Sequence, residues 1–393
     1  MILLLHHRYR EVGGEERAVA DLQWLIREHL DEDAEVLERD SGAIGQRDAA
    51  LGLLRGGLRP EEVADAVRRT GARVLHAHNV NPTFGWRALA AAKAAGARVV
   101  LHLHNYRLVC AVATCFTRGA DCTRCHGRNT LPGVRLNCRG GSRAESAAYA
   151  ASLSLWQQRI TGAADEIVVP SAFALDRLRD LGAPLGGKAR VLGSVQRDFA
   201  AASHAAAGEF VLAAGRLTPE KGFADVLEAC GRAGLPLVIA GDGAQRAELE
   251  ARAAAEGRLA PAGELAGRPA RGPRVEFVGH VSPSELADLR RRAAVAVVPS
   301  RYAEILPLAA LEAMAAGLPT VAAASGGLTE AVPEEGLYPP GAVEALQGRL
   351  TALFGDAQAG ERALRAARAR SAPEVIAKQL AEVYGATSGS ALY

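Results

Sequence analysis

The sequence predicts an α/β protein of two domains, each with a parallel sheet covered by helices. Short apolar runs bounded by Gly or Pro alternate with Ala-rich helical segments, which is the pattern of consecutive βαβ units. A chain of 393 residues is too long for one ordinary core and fits two domains of about 190 residues each. We place the boundary in the Gly- and Ala-rich stretch 193–208, so that the domains cover residues 1–195 and 196–367.

Composition and charge exclude several classes of protein. Apolar residues make up 49% of the chain, which excludes wholesale disorder. A net charge of +2 argues against a nucleic-acid-binding protein, because that class usually has a strong basic excess. No apolar run approaches the roughly 18 residues of a membrane-spanning helix. The opening MILLL is followed at once by His-His-Arg, which favours a first strand over a signal peptide, so we expect a cytoplasmic protein with reduced thiols.

The first predicted strand, residues 2–5, leads to a Gly13-Gly14 turn and an amphipathic helix. A Gly-Gly pair between a strand and a helix lets backbone N–H groups approach an anion closely. Most such pairs are only turns. A phosphate contact and a simple turn therefore both stay open for Gly13 and Gly14.

The remaining strands of the first domain are predicted at 34–37, 73–76, 98–103 and 166–169. Their alternation with helices indicates a parallel sheet with right-handed crossovers, and ligands of such sheets gather at the carboxyl ends of the strands. Histidines follow two of these strands, His76 and His78 on one and His102 and His104 on the next. Each can be a packed side chain or a contact to a ligand.

The segment after the fourth strand is unusually rich in cysteine, with Cys115 and His126 beside a spaced set of four. That set has the spacing C-x11-C-x2-C-x12-C and consists of Cys110, Cys122, Cys125 and Cys138. Zn²⁺ favours a CxxC pair combined with distant ligands, and a long irregular loop needs such a tie to stay ordered. We expect a structural zinc ion in the loop 110–138, with unliganded thiols or a redox CxxC pair as alternatives.

A helix follows this loop, and Arg135, Arg139 and Arg143 precede it or begin it. The helix can pack on the first-domain sheet through one apolar face. It can also present a basic amphipathic surface to a membrane or to an anionic lipid-linked acceptor. Peripheral membrane contact is therefore a second hypothesis for this helix.

The second domain opens with a strand at 210–214, followed by GRLTPEKG. Arg216 and Lys221 stand five residues apart in this Gly-bounded loop. Two cations and loop amides at the carboxyl end of a strand suit a diphosphate, and they would stabilise the charge on a departing nucleotide. The alternative is a solvated loop with two unrelated basic residues.

The most informative segment is 294–332, AVAVVPSRYAEILPLAALEAMAAGLPTVAAASGGLTEAV. It predicts a strand, an acidic loop with Glu304, a short helix with Glu312, a second strand and a Gly326-Gly327 turn. The carboxylates can accept hydrogen bonds from sugar and ribose hydroxyls, while a helix N-terminus supplies N–H groups to a diphosphate. The alternative is an acidic surface loop next to an ordinary helical Glu.

These motifs together resemble the donor site of retaining GT-B glycosyltransferases, and in particular glycosyltransferase family 4. The resemblance is carried by GR-x4-KG, by the Glu-x7-Glu segment with its following SGG, by GG-x-E after the first strand and by HNYRLVC. One branch of this family has a cysteine cluster at the same place as this chain. The resemblance implies two Rossmann-like domains that face an interdomain cleft, with residues 368–393 forming a helix that crosses back to the first domain.

The resemblance also implies a role for each motif. Arg216 and Lys221 would stabilise the leaving diphosphate, Glu312 would hold the ribose and Glu304 the sugar hydroxyls. His104 would contact the transferred sugar. The turns that would lie at the nucleotide are Gly13-Gly14 and Gly326-Gly327.

The implied reaction is transfer of a sugar, with retention, from a nucleotide diphosphate sugar to a hydroxyl of a glycan, a lipid-linked acceptor or a small molecule. UDP is the commonest nucleotide of the family. No carboxylate stands out as a nucleophile, so front-face attack is expected, and the two fixed cations make a divalent ion unnecessary for the chemistry. The alternatives are a GT-B sugar-nucleotide epimerase or hydrolase, and a zinc-stabilised binding module without transferase activity.

Overall fold

The computed structural model describes residues 1–8, 13–139, 142–267, 272–305 and 307–385. The chain divides into two compact units. The first unit consists of Met1–Thr117, Asp121–Val195 and the segment from Pro373 onward, and the second of Arg118–Ala120 and Gln196–Ala372. Across the described ranges, no helix combines the length and the apolar character that crossing a membrane requires.

The first unit is built on a six-stranded parallel sheet. In chain order its elements are β1 (Ile2–Arg8), α1 (Gly14–His29), β2 (Ala34–Asp40), α2 (Gln46–Arg55), α3 (Pro60–Thr70), β3 (Val74–Ala77), α4 (Gly85–Ala94), β4 (Arg98–His102), β5 (Phe116–Thr117), β6 (Ala120–Asp121), α5 (Leu131–Arg135), α6 (Arg143–Ala163), β7 (Glu166–Val169), α7 (Ala172–Asp180) and β8 (Ala189–Val191). The strand order is β2-β1-β3-β4-β7-β8, and β5 and β6 form a separate short hairpin. Helix α6 packs against α2, α4 and α5.

The second unit has a six-stranded parallel sheet of its own. Its elements are β9 (Phe210–Ala214), α8 (Phe223–Ala233), β10 (Leu237–Ala240), α9 (Arg246–Ala255), α10 (Glu264–Gly267), β11 (Val275–Gly279), α11 (Pro283–Arg292), β12 (Ala293–Val298), α12 (Leu308–Ala315), β13 (Thr320–Ala323), α13 (Leu328–Ala331), β14 (Leu337–Tyr338), α14 (Val343–Leu353) and α15 (Ala357–Ser371). The strand order is β11-β10-β9-β12-β13-β14.

The last helix, α16 (Pro373–Val383), packs in the core of the first unit. Its Ile376 and Leu380, together with Tyr384, join the apolar cluster that also contains Leu4 and Val100 of the sheet. Residues 368–371, predicted as part of this final helix, form the end of α15 instead. A helix tends to stop before the residue that precedes a proline, and Ala372, next to Pro373, is extended (ψ 145°).

The first strand is longer than its apolar residues alone predict. β1 continues to Arg8, and His6 and His7 pair in parallel register with Glu38 and Arg39 of β2. Both histidines are buried, at 1% and 0% exposure. The strand therefore places polar rings inside the unit near its carboxyl end, where a hydropathy pattern indicates only loop.

Candidate functional site

The strand order of the second unit identifies where a ligand would bind. Numbered within the unit, the order is 3-2-1-4-5-6, so the chain leaves β9 toward one edge of the sheet and resumes at β12 on the other side. Open parallel sheets bind ligands at the carboxyl ends of their strands next to such a reversal. The loops that follow β9 and β12 carry the candidates Lys221 and Glu304.

Lys221 and Glu304 contact each other directly. The Lys221 Nζ lies 2.7 Å from Glu304 Oε1 and 3.4 Å from the Tyr302 hydroxyl. The Ser300 hydroxyl donates to the same carboxylate oxygen. The ring of Tyr302 faces the ammonium group, with 5.0 Å between Nζ and the ring centroid. The two loops are thereby joined by a hydrogen-bonded ion pair.

The surroundings of this pair keep the lysine charged. The exposed fraction of the side chain is 20% for Lys221 and 7% for Glu304. Burial has the largest single effect and acts to lower the pKa of Lys221, but the charges of Glu304 and Tyr302 and the hydrogen bonds to them together outweigh burial, so the net pKa is raised. Burial and the charge of Glu304 also raise the pKa of Tyr302, so that its hydroxyl stays protonated and able to donate. The site therefore holds a permanent cation beside two hydroxyls.

Two glycines allow neighbouring loops to pack closely around this pair. Gly326 has a φ of +62°, and a Cβ there would lie 2.3 Å from the carbonyl oxygen of Glu304. The N–H of Gly327 donates to that same oxygen over 2.7 Å. Gly222 has a φ of +72°, and a Cβ there would lie 2.2 Å from the carbonyl oxygen of Pro299. The predicted Gly326-Gly327 turn thus packs against the backbone of Glu304 and fixes the acidic loop.

Arg216 lies in the same loop as Lys221 and is exposed. Its positive charge acts to lower the pKa of the Tyr302 hydroxyl, so Arg216 lies in the neighbourhood of the ion pair. This loop packs closely against two glycines whose role is not predicted from the sequence. A Cβ on Gly241 would lie 2.0 Å from the carbonyl oxygen of Gly215, and a Cβ on Gly243 would lie 2.5 Å from the carbonyl oxygen of Leu217. The Gly-Asp-Gly turn after β10 was the available signal for them.

Glu312 is in the same unit but has a different partner. Its Oε2 accepts a hydrogen bond from Arg290 of α11, and both side chains are 10% exposed. Arg290 is a third residue that is not predicted, because nothing in the sequence connects it to α12. In the described part of the chain, the side chains of Lys221 and Glu304 hydrogen-bond to each other, to Tyr302 and to Ser300, and not to Glu312.

In the first unit, Gly13 and Gly14 begin α1. The N–H of Gly13 donates to the side chain of Glu16 over 2.8 Å, which is half of a capping arrangement. Residues 9–12, which connect β1 to this turn, lie outside the described residues. The structure thus gives Gly13 a helix-capping contact at the place where a phosphate contact was predicted.

His104 belongs to a column of imidazoles at the ends of β3 and β4. His104 Nε2 lies 2.7 Å from His78 Nδ1, and His76 Nε2 lies 3.2 Å from His102 Nδ1. The remaining nitrogen of His76 is 2.8 Å from the Tyr384 hydroxyl. All four predicted histidines are therefore brought together, on one face of the sheet.

Burial keeps this column neutral at ordinary pH. It lowers the pKa of His76 and of His104 to about 3, and the neighbouring imidazoles act in the same direction. His104 can therefore donate or accept a hydrogen bond as neutral imidazole, but it is not a proton donor of the imidazolium type. One ring nitrogen from each of His76, His78 and His102 lies within 4.8 Å of the others, so these three could also hold a metal ion.

The predicted zinc ligands meet around one small cavity in the first unit. It has a volume of about 10 Å³, and Cys115 joins the four expected thiols in its lining, which includes Cys110, Cys115, Cys122, Cys125 and Cys138. No disulfide joins any of the chain's six cysteines, all of which lie in the described ranges. A hydrogen bond from the Cys115 thiol, which outweighs the opposing effect of burial, lowers the pKa of Cys110 to about 6. The same bond raises the pKa of Cys115.

Comparison with protein families gives one match for each unit. The profile described as "Glycosyl transferase 4-like domain" matches residues 16–192, and "Glycosyl transferases group 1" matches residues 208–356. Glycogen synthase of Mycobacterium tuberculosis is 33% identical over 238 residues, which are 56% of this chain and 54% of that protein. D-inositol 3-phosphate glycosyltransferase 2 of Catenulispora acidiphila is 41% identical over 117 residues, 28% of this chain and 27% of that protein. The match spans about half the length of the first relative.

Solved structures resemble the whole chain. Anabaena HepE in complex with UDP and glucose superposes with a TM-score of 0.64 and 18% identity, covering 98% of this chain and 99% of HepE. Sucrose-phosphate synthase from Thermosynechococcus elongatus gives a TM-score of 0.67 and 20% identity, covering 98% of each chain. At these identities the likeness establishes the fold, a pair of Rossmann-like units of the GT-B type.

Proposed function

We propose, from the premise that the chain is a family 4-like glycosyltransferase with the GT-B fold, that it transfers a sugar from a nucleotide diphosphate sugar to a hydroxyl acceptor. The observation that carries this proposal is the Lys221–Glu304 pair at the reversal point of the second sheet. A permanent cation next to a carboxylate meets the two needs of a sugar nucleotide, which are charge for the diphosphate and an acceptor for sugar hydroxyls.

Arg216 and Lys221 would receive the diphosphate together. Arg216 is exposed and can turn its planar guanidinium to bind two phosphate oxygens, whereas Lys221 is sheltered and supplies a fixed point charge. As the bond between sugar and phosphate breaks, negative charge grows on the leaving diphosphate. Both cations stabilise that charge, so a divalent metal ion is not needed for this role.

The carboxylates would hold hydroxyl groups of the donor. Lys221 and Ser300 hold Oε1 of Glu304 in place, and the other oxygen of this carboxylate would accept from a sugar hydroxyl. Glu312, anchored by Arg290, would accept from the ribose. The Gly326-Gly327 turn would keep the acidic loop next to the nucleotide, and Gly13 and Gly14 of the first unit would lie toward its phosphates.

The mechanism we propose is retention by front-face attack, and the pairing of the acids supports it. Glu304 is paired with Lys221 and Glu312 with Arg290, and Asp225 at the start of α8 accepts from Arg301 Nε over 2.9 Å. A carboxylate held in an ion pair is a weaker nucleophile for a covalent sugar intermediate, because the paired cation stabilises its negative charge. The leaving diphosphate would instead accept the proton of the attacking hydroxyl, and His104 would contact the sugar as a neutral hydrogen-bonding group.

The donor we propose is a UDP-sugar, and the acceptor a hydroxyl of a glycan, a lipid-linked glycan or a small molecule bound mainly by the first unit. HepE, with the same fold, was solved with UDP and with UDP-glucose. A lipid-linked acceptor would bring the chain to a membrane surface as a peripheral protein. The test of this point is whether activity depends on acceptors presented in vesicles.

The experiment is a nucleotide-release assay on the purified chain with UDP- and GDP-sugars, run with and without a panel of hydroxyl acceptors. We expect release that requires an acceptor and a product with retained anomeric configuration. Glu304→Gln should abolish most of the turnover, while Glu344→Gln at an exposed position of α14 should not. Release that is equally fast without acceptor would identify a hydrolase or epimerase and would contradict transfer. Turnover that is unchanged in Glu304→Gln would contradict the proposed site.

A further inference from the structure

The segment between β4 and α6 has little regular structure of its own. Residues 103–142 contain only the two-residue strands of the β5–β6 hairpin and the five-residue helix α5 among the residues described. Yet five cysteines from four parts of this segment line one cavity, and the sixth, Cys230, is buried in α8 of the second unit. Loops of this length with so little secondary structure are uncommon in compact domains. The convergence of the thiols therefore requires an explanation.

We propose that Cys110, Cys122, Cys125 and Cys138 bind one structural zinc ion in this cavity. Four thiolates are a ligand set that Zn²⁺ takes in closed, tetrahedral structural sites, and the Cys122-x2-Cys125 spacing supplies the usual close pair. The cavity volume of about 10 Å³ matches one water-sized particle and excludes an organic ligand. The site is separate from the donor site, which lies in the other unit.

Three of the four thiols are carried by residues whose backbone N–H groups are hydrogen-bonded within the loop. The N–H of Cys110 donates to the carbonyl of Tyr106 over 2.8 Å, and that of Cys138 to Gly133 over 3.1 Å. The N–H of Cys122 donates to the carbonyl of Cys115 over 2.7 Å, which joins the hairpin to the rest of the segment. The ligands thus come from three separate turns, as in a site that ties distant pieces of a loop together.

Cys115 has a different role from the other four. It stands outside the C-x11-C-x2-C-x12-C set, and its carbonyl oxygen accepts from the N–H of Cys122 over 2.7 Å. Hydrogen bonds of this kind orient the residues that bind a metal. Cys115 therefore supports the ligand Cys122 and is not a ligand itself. His126, close in sequence, is not part of the cavity lining.

The alternatives fit the structure less well. A redox CxxC pair usually opens a helix, whereas α5 begins at Leu131, six positions after Cys125. Backbone conformation points the same way: Ala113, Cys115 and Asn137 all adopt left-handed φ values, of 75°, 51° and 47°. Such values are unfavourable for residues with a Cβ, and they occur here beside or at the thiols. A metal that fixes the thiols supplies the compensating free energy.

The experiment measures zinc in the full-length chain, purified after growth with zinc and dialysed against metal-free buffer. We expect about one zinc ion per chain by elemental analysis in the wild type, and less than about a tenth of an ion in Cys122→Ser and Cys125→Ser. Cys115→Ser is the matched control in the same cavity, because serine keeps the backbone contact to Cys122, and Cys230→Ser is the control in the other unit. Both should retain about one ion.

Thiol counting gives a second readout that does not require the variants to fold. In the native wild type, a thiol reagent added after chelation should modify about four more cysteines than before chelation, and added zinc should restore protection. No zinc in the wild type after reconstitution, iron in its place, or equal losses in Cys115→Ser and Cys122→Ser would each overturn the proposal. Because zinc is measured without any donor or acceptor, a failure here leaves the proposed transfer reaction untouched.

Discussion

Lys221 and Glu304 are 83 positions apart in the sequence, yet their charged groups meet at 2.7 Å. The contact depends on the strand order, because β9 and β12 are neighbours in the sheet and the loops that leave their carboxyl ends lie side by side. Gly222 allows the loop after β9 to approach the backbone of Pro299, and Gly326 allows the loop after β13 to approach the backbone of Glu304. The strand order of the second unit therefore brings into contact the two residues on which its proposed chemistry depends.

Removing one partner of this pair should destabilise the second unit. Lys221→Met leaves the sheltered carboxylate of Glu304 without its cation, and we expect a loss of about 3 kcal/mol in the free energy of unfolding. Adding Glu304→Gln to that variant removes the unpaired charge and should restore part of the loss, since the two residues are coupled. Urea unfolding of the wild type, both single variants and the double variant measures this coupling. A double variant no more stable than Lys221→Met alone would show that the pair is not coupled as described.

Gly326 should be intolerant of a side chain. In Gly326→Ala the new Cβ meets the carbonyl oxygen of Glu304 at 2.3 Å on a backbone with a φ of +62°, so either the turn or the acidic loop must move. We expect a loss of about 2 kcal/mol in stability and weaker binding of the nucleotide sugar, measured by unfolding and by calorimetric titration.

The control for this change is Gly348→Ala, within α14. A Cβ on Gly348 meets nothing within 4 Å, and alanine is favoured over glycine in a helix interior. This variant should be unchanged or slightly more stable, with unaltered nucleotide binding. If Gly326→Ala behaved like Gly348→Ala, the packing of the Gly-Gly turn against Glu304 would not matter for the site.

Arg290 should affect nucleotide binding without contacting the sugar. Arg290→Gln leaves Glu312 without its ion-pair partner on α11, so the carboxylate loses its fixed orientation toward the ribose. We expect a KM for the sugar nucleotide raised about tenfold with a smaller change in kcat, as for an interaction present in both ground and transition states. The neighbouring Arg291 is 68% exposed, and Arg291→Gln is the matched control that should leave both constants unchanged. A fall in kcat alone would contradict a binding role for Glu312.

The sequence predicts the residue types of the site more easily than their partners. Two sheets, the positions of Lys221 and Glu304 after their strands and the grouping of the thiols all follow from short-range pattern and spacing. The pairing of Glu312 with Arg290 does not follow from the sequence, because the partner lies on another helix and an ion pair leaves no periodic signal. The extension of β1 through His6 and His7 was also missed, since buried polar residues in a parallel strand have the hydropathy of a loop.

Acid should destabilise the first unit, and His7 should account for a measurable part of the effect. Burial lowers the pKa of His7 to about 4, whereas the ordinary value for the unfolded chain is 6.5. Between those two pH values His7 is protonated in the unfolded chain but neutral in the folded state. The stability contributed by neutral His7 is therefore fully present above pH 6.5 and is lost as the pH falls toward 4.

His7→Gln tests this directly, because glutamine cannot be charged and can still reach the Ser41 hydroxyl that lies 3.1 Å from His7 Nδ1. Between pH 7.5 and pH 5 the wild type should lose about 2 kcal/mol more unfolding free energy than this variant. His29 on the exposed face of α1 is the control, and His29→Gln should follow the wild type at both pH values. The buried imidazoles at the ends of β3 and β4 are present in all three proteins, so their acid sensitivity cancels in the comparison. Parallel pH profiles for the wild type and His7→Gln would mean that His7 becomes protonated in the folded state as readily as in the unfolded chain.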